Sequence, residues 1–130
     1  MANLNELGSL IAESVGEYVQ NVKEGIDKEV IKTGKEAYRL VREGAPVNHG
    51  AYKKAISMKT ESQLLGNKKV TIYVKKPHYR LTHLLEDGHA LIDGGRSKSF
   101  KHWKPAEIKA KDMFTSGVEK VIESGGRNEV

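Results

Sequence analysis

From Leu4 to Val41 the apolar positions fall at Leu4, Leu7, Ile11, Val15, Tyr18, Val22, Ile26, Val30, Thr33, Ala37 and Val41, in steps of three and four throughout. That is the spacing of one stripe along an α-helix. A rod of about 40 residues would run roughly 60 Å. A compact domain of this length, 130 residues, has a radius of gyration of only about 14 Å. An unbroken helix would overhang its own domain. It must therefore yield at one of its glycines (Gly8, Gly16, Gly25, Gly34), each about 1 kcal/mol worse than alanine in a helix, or project toward a partner. The expected form is a long helix over residues 4–43, bent or interrupted near Gly25 or Gly34, with its stripe used partly between subunits.

Glu43-Gly44-Ala45-Pro46 closes that segment, since glycine suits the end of a helix and proline cannot continue it. After a loop over residues 47–50, the loosely alternating stretch 55–65 leads through Gly66 and Asn67 into the β-branched and aromatic run Val70-Thr71-Ile72-Tyr73-Val74. The pair reads as a β-hairpin. Residues 79–86 read as a helix of about two turns stopped by Gly88. Residues 93–104 form a glycine-rich basic loop, expected to move unless bound. Pro105, at the first helical position, starts a last helix over 105–123, with Ala106, Ile108, Met113, Phe114, Val118, Val121 and Ile122 on its buried face. Residues 124–130 make a polar tail. The expected fold is a single α+β domain: a long N-terminal helix, a small antiparallel hairpin, a short middle helix and a C-terminal helix.

The charge distribution narrows the function more than the total of +5 does. Residues 1–45 carry 6 basic and 8 acidic side chains, residues 46–111 carry 14 and 5, and residues 112–130 carry 2 and 4. The basic excess sits in the middle, where it attracts phosphate polymers or acidic protein surfaces. With 38% hydrophobic and 6% aromatic residues the core is light, which anticipates that partners cover part of the surface. Cysteine is absent, so disulfides, thiolate zinc sites and thiol nucleophiles are excluded together. The first residues lack the basic start and contiguous apolar run of a signal peptide, no run approaches a membrane span, and the long helix is net acidic, which opposes anionic lipid. The expected setting is inside a cell, away from membranes.

Four histidines, His78, His83, His89 and His102, lie within 25 residues of one another. Their spacing matches no zinc pattern, and they read as capping, hydrogen-bonding or interface residues. Glu86-Asp87 beside a helix end reads as a solvated pair, and no nucleophile or phosphate-loop motif occurs, so neither catalytic residues, nor a metal, nor a cofactor is expected. The stronger candidate is the basic loop, where Arg96, Lys98, Lys101 and Lys104 interleave with Phe100, His102 and Trp103. Cations beside stacking rings suit a DNA- or partner-facing surface. The competing reading is a solvated loop whose Trp103 tucks into the core.

The stretch Tyr79-Arg80-Leu81-Thr82-His83-Leu84-Leu85-Glu86-Asp87-Gly88-His89-Ala90-Leu91, followed by Gly94-Gly95-Arg96, His102 and Pro105-Ala106-Glu107, resembles the signature of the gp-ten-like neck proteins of tailed bacteriophages. Upstream, Pro46 and then Gly50-Ala51-Tyr52-Lys53-Lys54 are similar to that family's proline, glycine and basic-patch element. The resemblance covers roughly residues 30–122. It implies a virion structural protein of the head–tail connector, in head–tail joining or tail completion, and not an enzyme. It further implies an α+β fold and a homo-oligomeric ring around the DNA channel with non-specific DNA contact. The implied partners are connector or stopper proteins on one side and tail terminator or tail tube proteins on the other, with assembly in the host cytoplasm. The alternative is a small basic nucleic-acid-binding module.

Overall fold

A computed structural model describes residues 3–46, 50–63, 66–88 and 90–126. The expected loop at 47–49, Leu65 of the turn, His89 and the tail from 127 lie outside the described residues. The chain is α+β: α1 (Leu4–Gly44), α2 (Gly50–Ala55), β1 (Ile56–Ser62), β2 (Lys68–Val74), a single 3-10 turn (His78–Leu81), α3 (Thr82–Asp87) and α4 (Trp103–Ser124).

α1 starts on a reciprocal cap, in which Asn3 Oδ1 accepts the Glu6 N–H at 2.9 Å and the Glu6 carboxylate accepts the Asn3 N–H at 3.2 Å. It ends where Ala45 turns extended ahead of Pro46. Between these signals it is one uninterrupted helix of 41 residues, so the interruption expected as one alternative at Gly25 or Gly34 does not occur. Both glycines serve close packing instead. A Cβ at Gly25 would fall 2.7 Å from Val121 Cγ1 of α4, and one at Gly34 would fall 2.5 Å from Val70 Cγ1 of β2. α4 runs antiparallel along α1, from His102 against Gly44 to Val121 against Gly25 and the Ile122 carbonyl beside the Tyr18 hydroxyl. The hairpin takes another face, held by the Lys68 N–H donating to Asp27 at 3.3 Å and the Tyr38 hydroxyl donating to the Ile56 carbonyl at 3.3 Å.

The hairpin is antiparallel with Ile56 opposite Val74 and Ser62 opposite Lys68, and Gly66 supplies a positive φ at its turn. α2, which leads straight into β1, was not legible as a helix. Its six residues bury Tyr52 and Ala55 three apart on one side. α4 begins two residues ahead of Pro105. Of its expected buried face, Ala106 is buried, whereas Ile108 and Ile122 are exposed, because α1 is a narrow partner that covers one stripe of α4 and no more.

The core is small and sits at the C-terminal end of α1: Val41, Ala45, Tyr52, Ile56, Leu85 and Ala106, ringed by half-buried Tyr38, Ile72, Leu81, Phe100 and Trp103 among others. The first four turns of α1 stand clear of it, with Leu4, Leu7, Leu10, Ile11 and Val15 exposed.

Candidate functional site

The residues of the signature stretch converge on the start of α4. Glu86, on α3, places one carboxylate oxygen 2.9 Å from the His102 N–H and 3.0 Å from the Trp103 N–H, and the other 3.0 Å from the Lys104 N–H. The first N–H groups of a helix have no partner within it, and here a carboxylate from 16 to 18 residues upstream accepts all three. A negative charge at that end is also favoured by the helix dipole. Burial of the carboxyl raises its pKa, but the three backbone donors, assisted by the nearby His102 ring, outweigh burial and hold it below the ordinary value of 4.5. The reading of Glu86 as a solvated residue is thus corrected, since its side chain is only 14% exposed. Its neighbour Asp87 is solvated, facing Lys101 at 3.6 Å.

Behind the cap lies a buried polar cluster. His102, 2% exposed, sets Nδ1 2.7 Å from the Phe100 carbonyl, which can only accept, so that nitrogen carries a proton; Glu86 Oε1 lies 3.2 Å from it. His102 Nε2 is 2.7 Å from the Tyr52 hydroxyl, which also accepts the Trp103 indole N–H at 3.1 Å and lies 3.4 Å from Thr82 Oγ1. Every polar atom of the two rings and the phenol has a partner, which is the condition for burying them. Tyr52 joins the two halves of the chain through this one oxygen. Its role was not legible, because a six-residue helix offers no periodicity from which to infer burial.

Gly88, at φ +74°, turns the chain out of α3, and a Cβ there would fall 2.6 Å from the Ser97 carbonyl oxygen. The Phe100 N–H then donates to the Leu85 carbonyl at 2.6 Å. Between these ties a small tip projects, pinned by the Ala90–Arg96 bridge, with the Leu91 N–H donating to Gly95 O at 2.6 Å, Gly95 N–H donating to Asp93 at 3.1 Å, and Gly94 at φ +92°. The loop is therefore tied to the rest of the chain at several points. Pro46 is buried, Gly50 opens α2, Leu81 is half-buried against the core, Leu84 is half-buried, and Tyr79, His83, Pro105 and Glu107 are exposed.

The cations of the basic loop each have a different neighbour. Arg96 donates to the Gly88 carbonyl at 3.4 Å, Lys98 stands 5.6 Å over the Phe100 ring, Lys101 faces Asp87, and Lys104 is exposed on the first turn of α4. Trp103 and His102 face inward, so the interleaved rings are not available as stacking platforms. Among the described residues no three His, Asp or Glu side chains are grouped to hold a metal ion, and no helix is long and apolar enough to cross a membrane.

What the signature residues build is a structural interlock, and the comparison with known families agrees with that kind of protein. The family described as "Bacteriophage HK97-gp10, putative tail-component" matches residues 10–88. This chain belongs to that HK97-gp10-like family of bacteriophage tail components. Neither the curated proteins nor the solved structures yield a match.

Proposed function

We propose that this chain is a structural subunit of the phage head–tail connector, acting in head–tail joining or tail completion as one member of a ring around the DNA channel, and that it performs no catalysis. Family membership supports the phage setting. The observation that carries the finer reading is the bare apolar stripe at the start of α1, on a chain whose own core gathers at the far end of that helix. A protein working alone gains nothing by holding such a face in water; a subunit buries it. The interlock around Glu86 and Tyr52 fits the same role, because a small domain squeezed between neighbours needs a rigid shape. The basic middle segment then lies near the phosphates of the passing DNA, without sequence readout. Its neighbours are connector or stopper proteins toward the head and tail terminator or tail tube proteins toward the tail.

A phage with a stop codon in this gene is expected to accumulate DNA-filled heads and finished tails that do not join, visible in micrographs of the lysate. Normal infectious virions lacking the chain would overturn the proposal.

A further inference from the structure

At 3.6 residues per turn, Leu4, Leu7, Ile11, Val15 and Tyr18 fall in one sector of α1 about 80° wide. Gly25 and Glu29, which meet Val121 and Gly117 of α4, fall in that same sector. The seam that α4 fills farther along thus runs on, uncovered, past the end of α4 at Ser124. Its continuation has the shape of a surface for another helix. From Leu4 to Val22 the spacing 4, 8, 11, 15, 18, 22 alternates steps of four and three, the pattern of helix-on-helix packing, with Gly8 leaving room for close approach.

The charges say which helix. Residues 3–22 carry Glu6, Glu13 and Glu17 and no Lys or Arg, and all three carboxylates fall on the side of the helix opposite the stripe. The stripe and its flanks (Asn5, Ala12, Ser14, Asn21) are uncharged. Two copies of this segment can therefore meet face to face without opposing like charges, and neither presents a charge that asks for a complementary one. The exposed stripe residues Leu4, Leu7, Ile11, Val15 and Tyr18 offer on the order of 600 Å², which approaches what each partner contributes to a standard-sized interface. Among the described helices, no other leaves an apolar face of this length open.

We propose that the first partner of this face is the same segment of a second copy of the chain, so that subunits pair two by two through their projecting α1 ends, any ring closing through other contacts. This builds on the reading of the chain as a connector subunit, but the contact can stand or fall separately from the ring.

Because the chain has no cysteine, single cysteines report the contact cleanly. Ile11→Cys, on the stripe, is expected to give a disulfide-linked dimer on mild oxidation, both in purified protein and in virions, while Glu13→Cys on the opposite side gives none. Both positions are exposed, so folding is unaffected, and circular dichroism checks this. Absence of the Ile11→Cys dimer in both settings overturns the proposal, as does equal cross-linking from Glu13→Cys. Cross-linking of Ile11→Cys to Ile92→Cys in preference to itself overturns it too. That outcome would place the fully exposed loop tip of a neighbour on the stripe; Ile11 lies roughly 50 Å along α1 from Gly44, too far for the tip of the same chain to reach. Dimers without rings in micrographs leave the contact standing and sink the ring; rings without dimers do the reverse.

Discussion

Glu86 shows how one side chain can settle the path of a long loop. Its carboxylate is the acceptor for three N–H groups at the head of α4, and its position after Leu85, a core residue, anchors that acceptor to the interior. The carboxyl group titrates below 4.5 in the fold, so the native state favours its charged form. Its contribution is therefore present above the ordinary carboxyl pKa and is lost as the pH falls through the lowered one. Glu86→Gln keeps an acceptor oxygen but removes the charge, and is expected to cost about 1–2 kcal/mol near neutral pH. The deficit relative to wild type should shrink as the pH is lowered from 5 toward 3 (about the range over which a carboxyl of depressed pKa protonates). Urea denaturation of both proteins across that range measures it; a deficit independent of pH would show that the charge contributes nothing.

At the scale of elements, α1 explains why its glycines did not break it. A glycine costs helix stability because it is flexible, but a site where a neighbour occupies the place of the Cβ tolerates nothing else. Gly25 and Gly34 are such sites, while Gly8 and Gly16 have nothing within 4 Å. The two kinds should respond with opposite sign to the same substitution. Gly8→Ala is expected to stabilise the helix by up to about 1 kcal/mol. Gly34→Ala would drive a methyl group into the stiff, branched Val70 side chain and is expected to destabilise by about 1–3 kcal/mol. Thermal unfolding followed at 222 nm separates them. The helical stripe revealed the element but not this distinction, because steps of three and four record which side is apolar and say nothing of how closely a neighbour approaches.

For the whole molecule the division of labour runs along α1. Its C-terminal half holds the core, the hairpin and α4; its first four turns hold exposed side chains with no buried residue among them. Removing residues 1–16 is accordingly expected to change the unfolding free energy of the remainder by no more than about 0.5 kcal/mol, while abolishing self-association in sedimentation analysis. A large loss of stability would mean that the projecting turns support the monomer. Much of this plan is written locally. The stripe, the Asn3 cap, the Gly44-Ala45-Pro46 stop, the hairpin turn at Gly66 and the helix stop at Gly88 act through the backbone within a few residues, and the sequence determined the α+β order of elements through them. Its resemblance to phage proteins pointed to the family whose model matches residues 10–88. Whether the long helix would break, where α4 would begin, and which way the loop side chains would face were left to the tertiary structure. Those outcomes depend on partners far along the chain: Val121 and Val70 filling the space beside two glycines, Glu86 reaching the head of α4, and Tyr52 meeting His102 and Trp103 at a distance of 50 residues and more. Periodicity carries no record of such meetings, because it describes a surface before anything has packed against it.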